Sequence, residues 1–340
     1  MRKETRFAFD AFLDAIAKLN GINNATQKFA VAPSVQQKLE TRIQESSDFL
    51  KRVNMIGVTD QQGAKLGLGV GSPIASTTDT TQKDRATADV SDLDENGYNC
   101  TQTNFDSHLS YAKLDAWAKF ADFQTRIRDV IVRRQALDRI AIGFNGKTRA
   151  ATSDRAANPL LQDVNKGWLQ RMRDQAPQRV MDEGAKTAGK IIVGANGDYA
   201  NLDALVIDLV ASMIDPWHQD DTALVVMCGR GLLHDKYFPL INKSQAPSEM
   251  LAADVIQSQK RIGNLPAVTV PFFPANAVFV TSFDNLSLYF QDGARRRTIV
   301  DNAKRDRVEN YESSNDAYVV EDLGRAAVAE NIEIAPAPAA

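Results

Sequence analysis

Two cysteines in 340 residues, Cys100 and Cys228, exclude a disulfide framework and fit a cytoplasmic setting. Histidine is nearly as scarce. His108, His218 and His234 lie far apart, which leaves little for ordinary acid–base chemistry. Long apolar runs are missing as well. The stretch 202–217 is broken by Asp203, Asp208 and Asp215, so nothing is expected to span a membrane. The basic start MRKETR is not a secretory signal, because Asp10 and Asp14 interrupt its would-be apolar core. Nor does one charge sign dominate: the net charge of −3 gives no overall reason for nucleic-acid binding.

Catalytic signatures are also wanting. No G-x-S-x-G elbow, H-E-x-x-H helix or C-x-x-C pair occurs. AIGFNGKT, residues 141–148, imitates a phosphate loop, but it follows a helix and leads into no clear one. A helix stop with an exposed Lys147 explains it better. DLDENG, residues 92–97, starts like a calcium loop, yet its twelfth position is Thr103 and not a bidentate Glu. HQDD, residues 218–221, has no partner set at metal spacing, and GLGVGS, residues 67–72, lacks the last glycine of a dinucleotide fingerprint. No metal, cofactor or catalytic residue is expected, and the chain reads as a non-enzyme.

What the chain does have is helical periodicity. Residues 113–142 carry no proline or glycine. Trp117, Phe120, Ile127, Val130, Ile131, Leu137 and Ile140 recur at helical spacing, and charged pairs such as Asp122 with Arg126 mark the outer faces. Such a helix would span roughly 45 Å, with Gly143 and Gly146 as its left-handed stop. An earlier helix, about residues 5–20, has Phe9, Phe12, Leu13, Ile16 and Leu19 on one stripe and Gly21 as its end. A linker to Pro33 follows. This terminal helix either docks on its own domain or detaches to bind something else. A further helix is expected from Ser34, as N-cap, to about residue 54.

Residues 61–103 are rich in Gly, Ser, Thr and Asp and cannot bury a core of their own. A stretch of that length reads as an extended hairpin arm that needs a neighbouring subunit to lie on. Beyond residue 160 the expected elements are a helix at 165–174, a hairpin-like excursion at 181–199 and a helix at 201–214. A buried strand at 222–229 and helices at 230–241 and 248–259 come next. Strands at 267–273, 276–283, 286–293, 316–322 and 327–335 complete the list, before a flexible tail. Residues 293–313 hold Arg295, Arg296 and Arg297 against Asp301, Asp306, Glu309 and Glu312. Mixed signs suit salt bridges within the chain or between subunits, and the subunit reading is preferred.

Several segments carry a wider resemblance: RFAFDAFLDAIAKLNGI, ESSDFLKRVN, IASTTDT, DFQTRIRDVIVRRQALDRIAIGFNG, TSDRAANPLLQDVNKGWLQ, GDYANLDALV, DKYFPLINK, SEMLAADVIQSQKRIGNLPAV and DRVENYESSNDAYVVED. Over nearly its whole length the chain resembles the major capsid protein precursors of temperate, contractile-tailed bacteriophages of the P-two type. It departs from them at residues 81–100 and 181–194. The resemblance implies an α+β fold of the tailed-bacteriophage and herpesvirus major capsid type. Its parts would be an N-terminal propeptide and assembly helix (1–29), an N-arm (30–60) and an extended β-hairpin arm (61–103). A peripheral domain (104–195) with spine helix 113–142 and an axial domain (196–300) would follow. Residues 301–340 would return to the peripheral domain and end in a flexible tail.

Function follows from the same resemblance. The protein would form hexamers and pentamers of itself in an icosahedral shell and assemble with an internal scaffolding protein. The shell would hold a portal protein and enclose double-stranded DNA without sequence preference. A phage maturation protease would cut near Lys28, Phe29 and Ala30, and Phe9, Leu13 and Ile16 would guide assembly. The expected location is the virion capsid, after assembly in the host bacterial cytoplasm. An encapsulin-like nanocompartment shell of the same fold is the alternative. A nucleotide-binding enzyme, resting on residues 141–148, is a weaker one.

Overall fold

The structure, a computed structural model, describes residues 1–65, 69–70, 75–87, 91–92, 97–120, 122–241 and 260–335. The helix expected at 248–259 lies outside them.

Seven helices anchor the described residues: α1 (Lys3–Asn20), α2 (Pro33–Glu45), α3 (Tyr111–Trp117), α4 (Phe123–Asn145), α5 (Trp168–Gln175), α6 (Leu202–Met213) and α7 (Arg230–Ile241). Gly21 ends α1 in the left-handed conformation (φ 64°), as its position suggested. Helix α2 is shorter than expected. Pro33 occupies its first turn, Ala32 and not Ser34 is the N-cap, and the chain turns after Glu45 to bury both Phe49 and Leu50.

The single long helix at 113–142 is two helices. In one continuous helix Leu114 and Phe123, nine residues apart, would stand on opposite faces. Both are buried in one apolar cluster, and the break between α3 and α4 is what re-phases them. At the break Phe120 is 40% exposed, with the Arg126 guanidinium 4.3 Å and the Lys119 ammonium 5.3 Å from its ring centre. Phe120 is therefore a platform for cations and not a packing residue. Val130 also faces solvent. Ile127 and Ile140 are buried, while Trp117, Ile131 and Leu137 are half-buried. Asp122 pairs with Arg126 at 2.8 Å, as expected, and Asp129 pairs with its neighbour Arg128, not with Arg133 four residues on.

The glycines act differently from the expected stop. Gly143 lies inside α4, and Gly146 has φ −64°, which is not left-handed. Each is required by close approach. A Cβ on Gly143 would meet the Trp168 ring at 2.2 Å, and one on Gly146 would meet the Asn165 carbonyl at 2.1 Å.

Two main sheets stand among the described residues, one of seven strands and one of six. The axis of the larger is Arg307–Val320. It pairs antiparallel with Leu286–Gln291, Arg296–Asn302, Thr101–Asn104 and Ser107–Ser110. Asn54–Val58 runs parallel to Leu286–Gln291, and Phe29–Ala30 runs antiparallel to Arg296–Asn302. The charged stretch 293–313 is thus largely strand, turning at Asp306 (φ 48°).

The smaller sheet is built around Val225–Cys228, which pairs with Leu265–Val268 and Val278–Thr281. Ala327–Ala329 and Val180–Met181 continue it. Its strands alternate by residue, as pleating demands. Val225, Met227 and Phe279 point to a core shared with α4, α5 and the larger sheet, while Val226, Cys228, Val278 and Val280 point to α6 and α7. Trp168 and Tyr318 sit in the shared core.

The excursion at 181–199 is no hairpin. Ile191–Val193 pairs parallel with Ile332–Ile334, and the Asp198 carboxylate accepts from the Lys186 and Ile192 amides to close the loop. Sheet membership also cuts across the expected boundaries. Residues 286–302 belong with 307–320, while residues 327–329 join the smaller sheet and 332–334 pair with Ile191–Val193. The arm begins as paired short strands, Gln62–Gly63 with Tyr98–Asn99 and Gly69–Val70 with Ser91–Asp92. Residues 75–87 are exposed throughout.

Candidate functional site

The N-terminal segment and the strand beneath it form the most developed site. Helix α1 is amphipathic, and its apolar stripe closes on its own chain. Phe9, Phe12 and Ile16 are buried with Leu114, Phe123, Ile127, Ile299 and Val308, and Leu13 is half-buried against them. Polar contacts frame the seat. The Arg6 guanidinium reaches Asp301 at 2.5 Å, the Arg2 amide donates to Asp115 at 2.9 Å, and the Tyr111 hydroxyl donates to Asp301. Of the two readings of the terminal helix, the structure has the docked one. The residues expected to recruit a partner are occupied within the subunit.

The expected junction is pinned to the sheet. Phe29 is buried and stands opposite Arg297, and Ala30 stands opposite Arg296. The Val31 amide donates to the Arg295 carbonyl at 3.0 Å, and the Ile299 amide donates to the Ala25 carbonyl at 3.1 Å. Lys28 and Ala30 are exposed.

Behind this edge lies a buried charge cluster that sequence reading missed. Arg139 of α4 forks onto Asp316, with Nε to Oδ2 at 3.0 Å and Nη2 to Oδ1 at 3.1 Å, and also donates to Glu40 of α2. Arg295 donates to Glu40 at 2.5 Å, to Glu312 at 2.8 Å and to the Gln135 side chain at 2.7 Å. Gln135 in turn donates to Glu312 at 2.9 Å. Two guanidiniums and three carboxylates thus share one buried site, with the Arg297 guanidinium beside them. Burial pushes the Glu312 carboxyl up, but Arg295, Arg297 and the Gln135 bond bring it down to about 2. Glu40 is lowered in the same way: burial opposes its charge and Arg139 with Arg295 outweigh it. The cluster ties α2, α4 and the axial strand of the larger sheet into one body. Arg139 lies next to Ile140 on the helix, so the only sequence signal was a cation beside an apolar stripe.

These placements correct the intersubunit reading for two residues. Arg295 is fully buried, and Glu309 is buried and bound to Arg307 at 2.6 Å and to the Tyr311 hydroxyl at 2.7 Å. Arg297 donates to Asn310 at 2.7 Å, and Arg296 to the Gly293 carbonyl at 2.6 Å. Asp306 is exposed at the hairpin turn, where its carbonyl accepts from the Tyr111 amide at 2.9 Å. The other motifs hold no site. Residues 141–145 are helical, so their amides are not free to cradle a phosphate. His218 meets Asp322 at 2.9 Å. Among the described residues no group of three or more His, Cys, Asp or Glu could hold a metal ion, and no helix is long and apolar enough to cross a membrane.

A spine helix packed across two sheets, an arm leaving the body and an N-terminal segment laid along a sheet edge define a tailed-phage capsid subunit. Comparison with known proteins agrees. The chain matches the family described as phage major capsid protein, P2 family, over residues 8–332, and it belongs to that family. It is 55% identical to the capsid proteins of Escherichia phage P2 over 98% of this chain and 96% of theirs. It is 42% identical to the major capsid protein of Serratia phage KSP20, with 98% of each covered. Among solved structures it is similar to a chain of the satellite phage P4 procapsid that includes the size determination (Sid) protein. There the TM-score is 0.83 and the identity 52%, over 98% of this chain and 99% of that one. A capsid chain of an empty GTA particle shares the fold at TM-score 0.51 and 17% identity, over 85% of this chain and 90% of that one. The protein is a phage major capsid protein, and the nanocompartment alternative is set aside on these identities.

Proposed function

We propose that copies of this chain, as hexamers and pentamers, assemble with an internal scaffolding protein into an icosahedral procapsid in the host cytoplasm. The shell carries a portal, receives double-stranded DNA and is matured by a phage protease that cuts near Phe29. Its role is structural and not catalytic. The arm lies on a neighbouring copy. The observation that carries this reading is the contrast between two long polar or detachable segments. Residues 75–87 are exposed along their whole length, whereas residues 1–31 pack against α3, α4 and the outer edge of the larger sheet.

The expected division into propeptide, N-arm, arm, peripheral domain and axial domain is retained in outline, with residues 286–302 moved to the larger sheet. The guide function of α1 moves too. Phe9, Leu13 and Ile16 face inward, so a scaffold would meet the outer face, where Phe7 is 65% and Leu19 67% exposed. Many weak contacts of that kind suffice when identical copies act together. Electron microscopy of the chain expressed with a candidate scaffold tests the reading. Closed shells are expected. Only soluble subunits or open sheets, with scaffold bound, would refute it.

A further inference from the structure

Departure of the N-terminal segment would bare two surfaces at once. One is the outer edge of Arg296–Asn302. The other is the apolar seat formed by Leu114, Phe123, Ile127, Val308 and Ile299. An unpaired strand edge with an apolar flank is a template for another strand. Its outward backbone groups can be read from the present contacts. The Arg295 carbonyl and the Ile299 amide bond to the segment, and Arg297 lies opposite Phe29 between them. The two-residue period of a strand makes Asp301 the next outward position.

The strand is complementary to itself. Laid antiparallel on the same strand of a second copy about Ile299, it sets Ile299 opposite Ile299 and Arg297 opposite Asp301. Thr298 then meets Val300, and the ladder ends before Arg296, where Ala30 stays paired on its own chain. This register joins the outward groups of residues 297, 299 and 301, and it opposes unlike charges twice, a favourable cross-strand pair. Asp301 loses Arg6 when α1 leaves and keeps only the neutral Tyr111 hydroxyl as its bond. Arg297 bonds to a neutral amide, Asn310, at 2.7 Å, with Glu312 beside it already bound by Arg295. The contact is two-fold, the commonest closed symmetry between identical chains.

We propose that, once residues 1–29 have left, the edge of Arg296–Asn302 is a contact between two copies of this chain, paired antiparallel about Ile299. The proposal rests on the processing reading above. Its signature is a residue facing its own copy. Directly opposed residues in such a ladder have Cα atoms about 5.5 Å apart in the hydrogen-bonded pair, which is within disulfide reach.

Full-length chain carrying Ile299→Cys, assembled into shells with scaffold and with or without the maturation protease, tests it under mild oxidation. The native thiols do not interfere, because burial pushes Cys100 up to about 12 and Cys228 up to about 11. Processed shells are expected to yield dimers linked 299 to 299, and unprocessed shells none. Adding Asp301→Arg is expected to abolish the link, and Arg297→Asp on top of it to restore the link. Mass spectrometry of the N-termini separates the two failures. Intact N-termini refute the processing reading and the unmasking with it. Processed chains without the 299–299 link, or with a link indifferent to Asp301→Arg, refute the strand pairing alone.

Discussion

The Trp168 indole packs against the bare Cα of Gly143, so close that an added methyl would stand 2.2 Å from Cζ3 of the ring. The same indole donates to the Ser287 carbonyl at 3.0 Å and meets Phe144, Phe49 and Tyr318 at ring-centre distances of 5.2, 5.9 and 5.2 Å. Trp168 is therefore fixed from several sides and cannot yield. Alanine in a helix is worth about 1 kcal/mol over glycine, but overpacking costs about 1–3 kcal/mol. Gly143→Ala is expected to destabilise isolated subunits by up to about 2 kcal/mol in urea unfolding. A gain in stability would show that α4 can slide away from α5.

Glu40 offers a sharper probe, since one carboxylate serves both Arg139 and Arg295. Removing one partner of a buried ion pair typically costs about 3–5 kcal/mol. Glu40→Ala is expected to fall in that range. Asp48→Ala, at the exposed pair with Lys51, is expected to change stability by no more than about 0.5 kcal/mol. Equal effects of the two substitutions in the same unfolding assay would mean that the cluster contributes no net stability.

The two sites also show which parts of the molecule were legible in its sequence. Local signals with one physical cause read correctly. Gly21 stops α1, a helix runs over Leu202–Met213, and the apolar run at Val225–Cys228 is a buried strand. The α3–α4 break did not read, because no proline or glycine marks it. It exists only so that Leu114 and Phe123 can face one cluster, a tertiary demand that overrides local helix preference. The role of Gly143 was hidden for the same reason: its partner, Trp168, is 25 residues on. Glu40, Arg139, Arg295 and Asp316 are scattered in sequence, and mixed charge between residues 293 and 313 looked like surface. Resemblance drew attention to the residues around Phe29, and only the coordinates revealed that Phe29–Ala30 is a strand.

The charge cluster gives the subunit a defined acid limit. Glu312 sits at about 2, against an ordinary glutamate value of 4.5, and Glu40 is shifted in the same direction. A depressed carboxyl binds fewer protons folded than unfolded, so stability rises with pH across the interval. The contribution is complete above about 4.5 and is lost as pH falls toward about 2. Urea midpoints of isolated subunits are expected to hold steady from pH 7 to 5 and then drop. In Glu312→Gln the part of that drop owed to this residue disappears. An unchanged acid slope in the variant would assign the acid sensitivity to other carboxylates.

Limited proteolysis discriminates between exposed chain and pinned chain. Proteases take substrate as an extended strand, so a peptide already paired in a sheet must first unzip. Lys83 and Arg85 lie within exposed residues 75–87, whereas Lys28 is exposed only as a side chain. The peptide after it enters the pairing of Phe29–Ala30 with Arg297 and Arg296, and Phe29 is buried. Trypsin on free subunits is expected to cut after Lys83 and Arg85 early and after Lys28 late. Phe29→Ala, which removes the buried anchor, is expected to advance the Lys28 cut and leave the arm cuts unchanged. Early cleavage after Lys28 in the unmodified chain would mean that the edge pairing opens readily. The cut proposed near Phe29 would then need no prior release of the segment.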